Sequence, residues 1–234
     1  MYADDTNVFF SSHPLLDIEH AVNNYLFHLS TWLNTNKLCL NIEKAKYILF
    51  APLNKPRKSP IEILFDGKEI AQVKAQEFLG VWYEESLSWN SHVNSLIADL
   101  SKTIGCLFKL CPLIPQWLRT VLSYSLFYSK LSYCALVWGT TTSHSYKRLI
   151  TLQKKVLRIF EQYHGPPELL RTRPLFLKYK MLKANQIYYF KLLQYIKKAK
   201  LYSVQKSNAA PAYPLYRETL RAAKNKNELW TTTY

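Results

Sequence analysis

Residues 77–108 read EFLGVWYEESLSWNSHVNSLIADLSKTIGCLF, and the hydrophobic period changes partway along them. Glu77–Tyr83 is a short run of aromatic and β-branched residues, the pattern of a strand. From Ser88 the apolar residues Val93, Leu96, Ile97, Leu100, Ile104, Leu107 and Phe108 recur at steps of three and four, the pattern of one helix face. A boundary near residues 85–90 therefore divides a mixed portion from a helical one, and the expected class is α+β.

Towards the N-terminus the periods alternate. Ile18, Val22, Tyr25, Leu26, Leu29, Trp32 and Leu33 predict an amphipathic helix ending near the Asn34–Asn36 polar cluster. Lys46–Phe50, Ile61–Phe65 and Glu69–Val73 predict short strands in antiparallel arrangement, with Asp66-Gly67 as a hairpin turn signal. Residues 51–60, with three prolines and three basic residues, read as an exposed loop.

Towards the C-terminus the pattern is helical throughout. Pro112 and Pro115 end the first helix, and Gln116–Trp138 predicts a second, largely buried one, stopped by Gly139 and the threonines after it. Ser143 is placed to cap a third, His144–Phe160. There Leu149, Leu152, Val156 and Ile159 oppose Lys147, Arg148, Lys154, Lys155 and Arg158. A last helix is expected over Pro174–Lys200, followed by a polar tail from Leu201 with little to order it. The portions are 1–87, 88–200 and 201–234.

Charge separates the same portions. The 234 residues carry a net charge of +15, but residues 1–100 hold 8 basic and 12 acidic residues while residues 101–234 hold 23 and 4. The balances are −4 and +19, and a one-signed field over half a chain suits a polyanionic partner. The partner expected for Lys147, Arg148, Lys154, Lys155 and Arg158 is nucleic acid, with a basic helix lying on a membrane as the alternative for Pro174–Lys200. Composition excludes a disordered chain, since 48% of residues are apolar and 15% aromatic. Four dispersed cysteines exclude a disulfide framework, and five glycines are few for a Gly-rich nucleotide-binding fold. No secretory signal is legible in MYADDTNVFF, and Arg119 and Lys130 interrupt the most apolar stretch. An intracellular chain, nuclear or cytoplasmic and without a transmembrane helix, is expected.

The chemistry-bearing motif is Tyr2-Ala3-Asp4-Asp5, at the head of what reads as an extended strand, Thr6–Phe10. Adjacent carboxylates in an apolar sheet are costly as ions unless they hold a cation, and hard oxygen ligands beside phosphates suit Mg²⁺. In two-metal phosphoryl transfer such carboxylates hold one ion that activates the attacking hydroxyl and another that stabilises the leaving group. An Asp-Asp pair can equally be a surface turn.

The order of further segments supplies a context. Tyr2-Ala3-Asp4-Asp5, an amphipathic helix, Leu38-Cys39-Leu40-Asn41-Ile42-Glu43-Lys44, Glu77-Phe78-Leu79-Gly80-Val81 and Leu87-Ser88-Trp89 follow one another. Leu131–Gly139 and Leu149–Arg158 come after them. In this order, over roughly residues 1–160, the chain resembles the reverse transcriptases of non-LTR retrotransposons. The resemblance implies a partial palm followed by a thumb-like helical bundle, and an RNA-directed DNA polymerase as the parent activity. It makes Asp4 and Asp5 the catalytic, Mg²⁺-binding residues and puts Tyr2 and Ala3 beside the primer end. It places Lys44 near the incoming deoxynucleoside triphosphate, although its usual Thr neighbour is Ala45 here. Phe78, Leu79 and Gly80 fall in the primer-grip hairpin. The expected partners are an RNA template and a DNA primer.

The resemblance begins at the metal-binding turn, so fingers, upstream palm and the family's other metal-binding Asp are expected before Met1. Polymerase activity is not expected of these residues alone. A non-catalytic nucleic-acid-binding module of transposon origin is the alternative, recognisable by binding that ignores Asp4→Ala. The six histidines are dispersed and suggest neither zinc ligation nor a nucleophilic triad.

Overall fold

The computed structural model describes residues 6–11, 15–50 and 61–199; the loop expected over 51–60 and the tail from Leu201 lie outside them. The fold is α+β. The chain divides into two units, Met1–Lys191 and Leu192–Tyr234. The first contains two hydrophobic clusters.

The smaller cluster forms where helix α1 (Leu15–Thr35) lies on strand β2 (Leu64–Phe65). Val22 of α1 is buried against Ile61, Ile63, Phe65 and Ile70, with Ile18, Leu26, Leu29 and Leu33 packed around them. Asn23 fixes the docking: its amide donates to the Glu62 carbonyl at 3.0 Å and accepts from the Leu64 N–H at 3.0 Å. Ser30 donates to the Asp66 carboxylate. β2 pairs antiparallel with β3 (Lys68–Glu69) through the expected Asp66-Gly67 turn, whose φ values of 48° and 75° are those of a two-residue turn matching strand twist.

Three expectations are corrected here. The strands read as Lys46–Phe50 and Ile61–Phe65 are each reduced to two paired residues, β1 (Lys46–Tyr47) and β2, and Glu69–Val73 is divided between the end of β3 and β4 (Ala71–Gln72). β1 also pairs with β4 in parallel, not antiparallel. Alternation encodes which side chains are buried, and Ile61, Ile63 and Phe65 are buried with Glu62 and Leu64 outside, but it does not encode ladder partners. Thr6–Phe10 has no regular structure and is exposed, so it is not a strand in this fold.

Glu77–Tyr83 is likewise two strands. β5 (Ala75–Phe78) and β6 (Val81–Glu84) form a hairpin turning at Leu79-Gly80, both at positive φ. The hairpin leads into α2 (Asn90–Leu110), whose Val93, Leu96, Leu100 and Leu107 are buried as predicted, while Phe108 is exposed. Glu84 serves the start of this helix. Its carboxylate accepts from the Ser91 N–H at 2.7 Å and from the Ser88 hydroxyl, placing negative charge on unpaired first-turn amides. Burial alone would raise the Glu84 pKa, but those hydrogen bonds outweigh it and hold the carboxyl below its ordinary value.

The continuous helix expected over Gln116–Trp138 is broken. α3 (Gln116–Leu122) passes into a π-helical segment, Ser123–Tyr128, and then into α4 (Ser129–Ser132). Tyr133 and Cys134, the latter at φ 46°, precede α5 (Ala135–Trp138). The break frees the Tyr133 carbonyl, and the Trp138 indole donates to it at 2.8 Å. The segment is less buried than expected, because only Ser123, Phe127, Leu131, Ala135 and Trp138 form its inner stripe.

α6 (Ser143–Phe160) packs most extensively on α2. Its cap is Thr142, whose hydroxyl accepts from the Ser145 N–H at 3.3 Å, in place of Ser143. The last helix, expected as Pro174–Lys200, is two: α7 (Arg173–Lys178) and α8 (Ala184–Lys198). Gln153 of α6 accounts for the interruption. Fully buried, it donates to the Leu182 carbonyl at 2.8 Å and accepts from the Ala184 N–H at 2.8 Å, pairing the backbone groups the break leaves open. The larger cluster joins Val81 and Trp89 to the inner faces of α2, α6, α7 and the first turns of α8.

Candidate nucleic-acid interface

α6 presents its basic residues opposite its buried face. Leu149, Leu152, Gln153, Val156, Leu157 and Phe160 point inward. At about 100° per residue, Lys147, Arg148, Lys154, Lys155 and Arg158 fall within an outward arc of about 120°. Arg148 donates to the Asn94 amide oxygen of α2 at 2.8 Å, and Arg158 donates to the Pro167 carbonyl at 3.0 Å, so both guanidinium groups are oriented. The ammonium groups of Lys147, Lys154 and Lys155 have no hydrogen bond or ion pair among the described residues; Lys147 and Lys155 are exposed and Lys154 is half-buried. Three such ammonium groups flanked by two oriented guanidinium groups can neutralise phosphates without reading bases.

A second group of cations lies near the C-terminus of α6. Lys178 pairs with Glu161 at 2.6 Å, and Tyr179 donates to the same carboxylate at 2.7 Å. The Lys178 hydrogen bond lowers the Glu161 pKa, opposed by partial burial and assisted by Tyr179. The same bond raises the Lys178 pKa. Arg119 of α3 donates to the Phe160 carbonyl at 2.9 Å, capping α6 with positive charge where its dipole is negative.

The remaining predicted positions are separate in sequence role. Lys44 sits in an exposed turn closed by its own N–H on the Asn41 carbonyl at 3.2 Å. An open cleft beside it is lined by Leu40–Glu43, Lys68, Glu69 and Ala71, but not by Lys44 itself. Phe78 is half-buried against Tyr83, while Leu79 and Gly80 form the exposed tip of the β5–β6 hairpin. Sequence reasoning missed Tyr133, whose hydroxyl donates to the Leu79 carbonyl at 2.7 Å and latches that tip to the helical body. In the sequence it stands only within the Leu131–Gly139 segment, with nothing to single it out. Asn94, the partner of Arg148, carried no advance signal either.

Tyr2, Ala3, Asp4 and Asp5 lie outside the described residues. Among the described residues no three His, Cys, Asp or Glu side chains gather as metal ligands. Also among the described residues, no helix is long and apolar enough to cross a membrane.

Comparison with known proteins agrees with the resemblance. The chain is 25% identical over 189 residues to the "RNA-directed DNA polymerase from mobile element jockey" of Drosophila melanogaster, covering 74% of this chain and 19% of that protein. It is 21% identical over 169 residues to the "Probable RNA-directed DNA polymerase from transposon X-element" of the same organism, covering 68% of this chain and 17% of that protein. No family model and no solved structure matches. The chain spans less than a fifth of the length of these curated relatives. Over that part, it is a low-identity relative of the RNA-directed DNA polymerases of non-LTR retrotransposons.

Proposed function

We propose that these residues are the last part of the palm, 1–87, and the thumb, 88–200, of such a polymerase, followed by a basic tail, 201–234. In the whole protein, Asp4 and Asp5 are proposed as catalytic Mg²⁺ ligands, with a further carboxylate from elsewhere in the polymerase. Lys44 would lie towards the triphosphate, and Tyr2, Phe78, Leu79 and Gly80 towards the primer. Alone, residues 1–234 bind template–primer and do not extend it.

The observation that supports this reading best is the α6 stripe, with Lys147, Lys154 and Lys155, whose ammonium groups have no partner among the described residues, on the helix face opposite the core. A thumb gripping a duplex by charge and shape needs such a face and needs no base readout. The test is anisotropy of a labelled RNA–DNA hybrid at several salt concentrations. Replacing all three lysines by Ala should flatten the slope of log K against log salt by about 2–3, near 0.7–0.9 for each phosphate no longer neutralised. An unchanged slope overturns the assignment. In parallel, RNA template, DNA primer, Mg²⁺ and deoxynucleotides should give no extension; extension abolished by Asp4→Ala would overturn the claim of inactivity.

A further inference from the structure

Between α3 and the end of α7 lies an open cleft of about 380 Å³, lined by Gln116, Trp117, Thr120, Lys178, Tyr179 and Lys180. Tyr179, in the basic-aromatic run Lys178-Tyr179-Lys180, is no stacking surface: it is 5% exposed, packed edge-on against Phe160. The exposed ring is Trp117, which leaves 68% of its surface in solvent on the opposite wall.

Lys178 and Lys180 stand on the other wall. Lys178 is held by Glu161 at 2.6 Å and lies 5.3 Å from the Tyr179 ring centre, which gives its ammonium a defined position. Lys180 is exposed at φ 52°, and Tyr124 pins its backbone by donating to its carbonyl at 2.8 Å. Gln116 bridges the walls through a 3.2 Å bond to the Tyr179 hydroxyl.

We propose that this cleft takes a single-stranded nucleic acid, one base stacked on Trp117 and the adjoining phosphates on Lys178 and Lys180. The proposal rests on the nucleic-acid reading above and adds a second track to it, for unpaired strand, distinct from the α6 stripe. The cleft is open to solvent and sets an aromatic ring opposite two cations, the chemistry of a base next to its phosphates. An exposed aromatic face accepts any base, and the two ammonium groups supply sequence-independent attraction. Glu161 tempers that attraction by occupying Lys178.

The test is titration of a labelled oligothymidylate of about 10 nucleotides with the full chain at several salt concentrations. Trp117→Ala should weaken binding about tenfold with an unchanged salt slope, and Trp117→Phe should restore much of it. Lys178→Ala with Lys180→Ala should flatten the slope by about 1.4, close to 0.7 for each phosphate of a single strand. Glu161→Gln, which keeps an acceptor for Tyr179 but releases Lys178, should tighten binding a few-fold, a gain that damage to folding would not produce. If the α6 lysine variants weaken binding while these do not, the cleft assignment is overturned and the nucleic-acid reading stands. If no variant of either set alters oligonucleotide binding, both fail. Trp117-dependent binding to anionic phospholipid vesicles, without binding to the oligonucleotide, also overturns the proposal.

Discussion

Gln153→Leu should be among the most damaging single substitutions in this chain. The glutamine is wholly buried in α6 and closes two hydrogen bonds of 2.8 Å, to the Leu182 carbonyl and from the Ala184 N–H. Leucine fits a similar volume but pairs with neither group. Leaving a buried donor or acceptor unmet costs about 1–3 kcal/mol each, so the gross loss is about 2–6 kcal/mol. The more apolar side chain recovers about 1–2 kcal/mol, leaving a net loss near 2–3 kcal/mol and a Tm lower by roughly 5–10 °C. Urea unfolding followed by circular dichroism should show the midpoint falling with the slope unchanged. Gln153→Glu sharpens the test. Ionised, the new carboxylate accepts from Ala184 but faces the Leu182 carbonyl with negative charge. Protonated, it offers the same donor and acceptor as glutamine. The deficit of the Gln153→Glu chain relative to the native one should therefore shrink as pH falls towards the carboxyl pKa. A Gln153→Leu chain as stable as the native one, or a Gln153→Glu deficit indifferent to pH, refutes the reasoning.

Leu79 sits at φ 49° with 41% of its surface exposed, a conformation that costs a branched residue about 1–2 kcal/mol and that Asn tolerates. Leu79→Asn should raise Tm by about 2–4 °C while keeping the carbonyl that Tyr133 binds, as read by thermal melting. His92 is buried beside Trp138, ring centres 5.6 Å apart, and burial lowers its pKa below the ordinary 6.5. A histidine depressed in the folded state binds its proton more readily unfolded. Stability from this source is complete above about pH 6.5 and is lost as pH falls through the folded pKa. His92→Leu should flatten the part of the stability–pH curve that falls below about pH 6.5, and an unaltered slope there would show that His92 does not titrate as its burial requires.

Much of this fold is legible in sequence because burial is what hydrophobic period records. The inner faces of α2 and α6 and the alternate burial of Ile61, Ile63 and Phe65 follow directly from spacing. Chain breaks are less legible. Nothing local forbids a helix through Tyr133-Cys134 or Tyr179-Lys180; the breaks are held by Leu79 and the nearby Trp138 for the first and by the distant Gln153 and Tyr124 for the second. The candidate site divides in the same way. The basic stripe of α6 is a helical-wheel property and so readable in advance. The Trp117 cleft needs two segments some sixty residues apart in sequence, and no period brings them together.

The β5–β6 hairpin bears on where the helical part begins. A change of hydrophobic period places the boundary near residues 85–90, yet the hairpin before it contributes three further ties to the helical body besides the Tyr133 bond at its tip. Val81 is buried in the larger cluster, Glu84 accepts from the first turn of α2, and Tyr83 meets Trp89 edge-on with ring centres 5.6 Å apart. By ordinary magnitudes these are worth about 1.5–2 kcal/mol for the valine, about 1 for the cap and about 0.5–1.5 for the aromatic pair. Together they approach about 3–4 kcal/mol, a large share of the roughly 5–15 kcal/mol by which domains are stable. A chain cut back to start at Ala75 should therefore unfold in one cooperative transition in urea, whereas one starting at Ser88 should have a markedly lower midpoint or none. Equal midpoints would mean that the hairpin only rests on the helices. A lower midpoint for the shorter chain would instead make the hairpin part of the helical unit, with the position of its Leu79-Gly80 tip set by the helices that hold it.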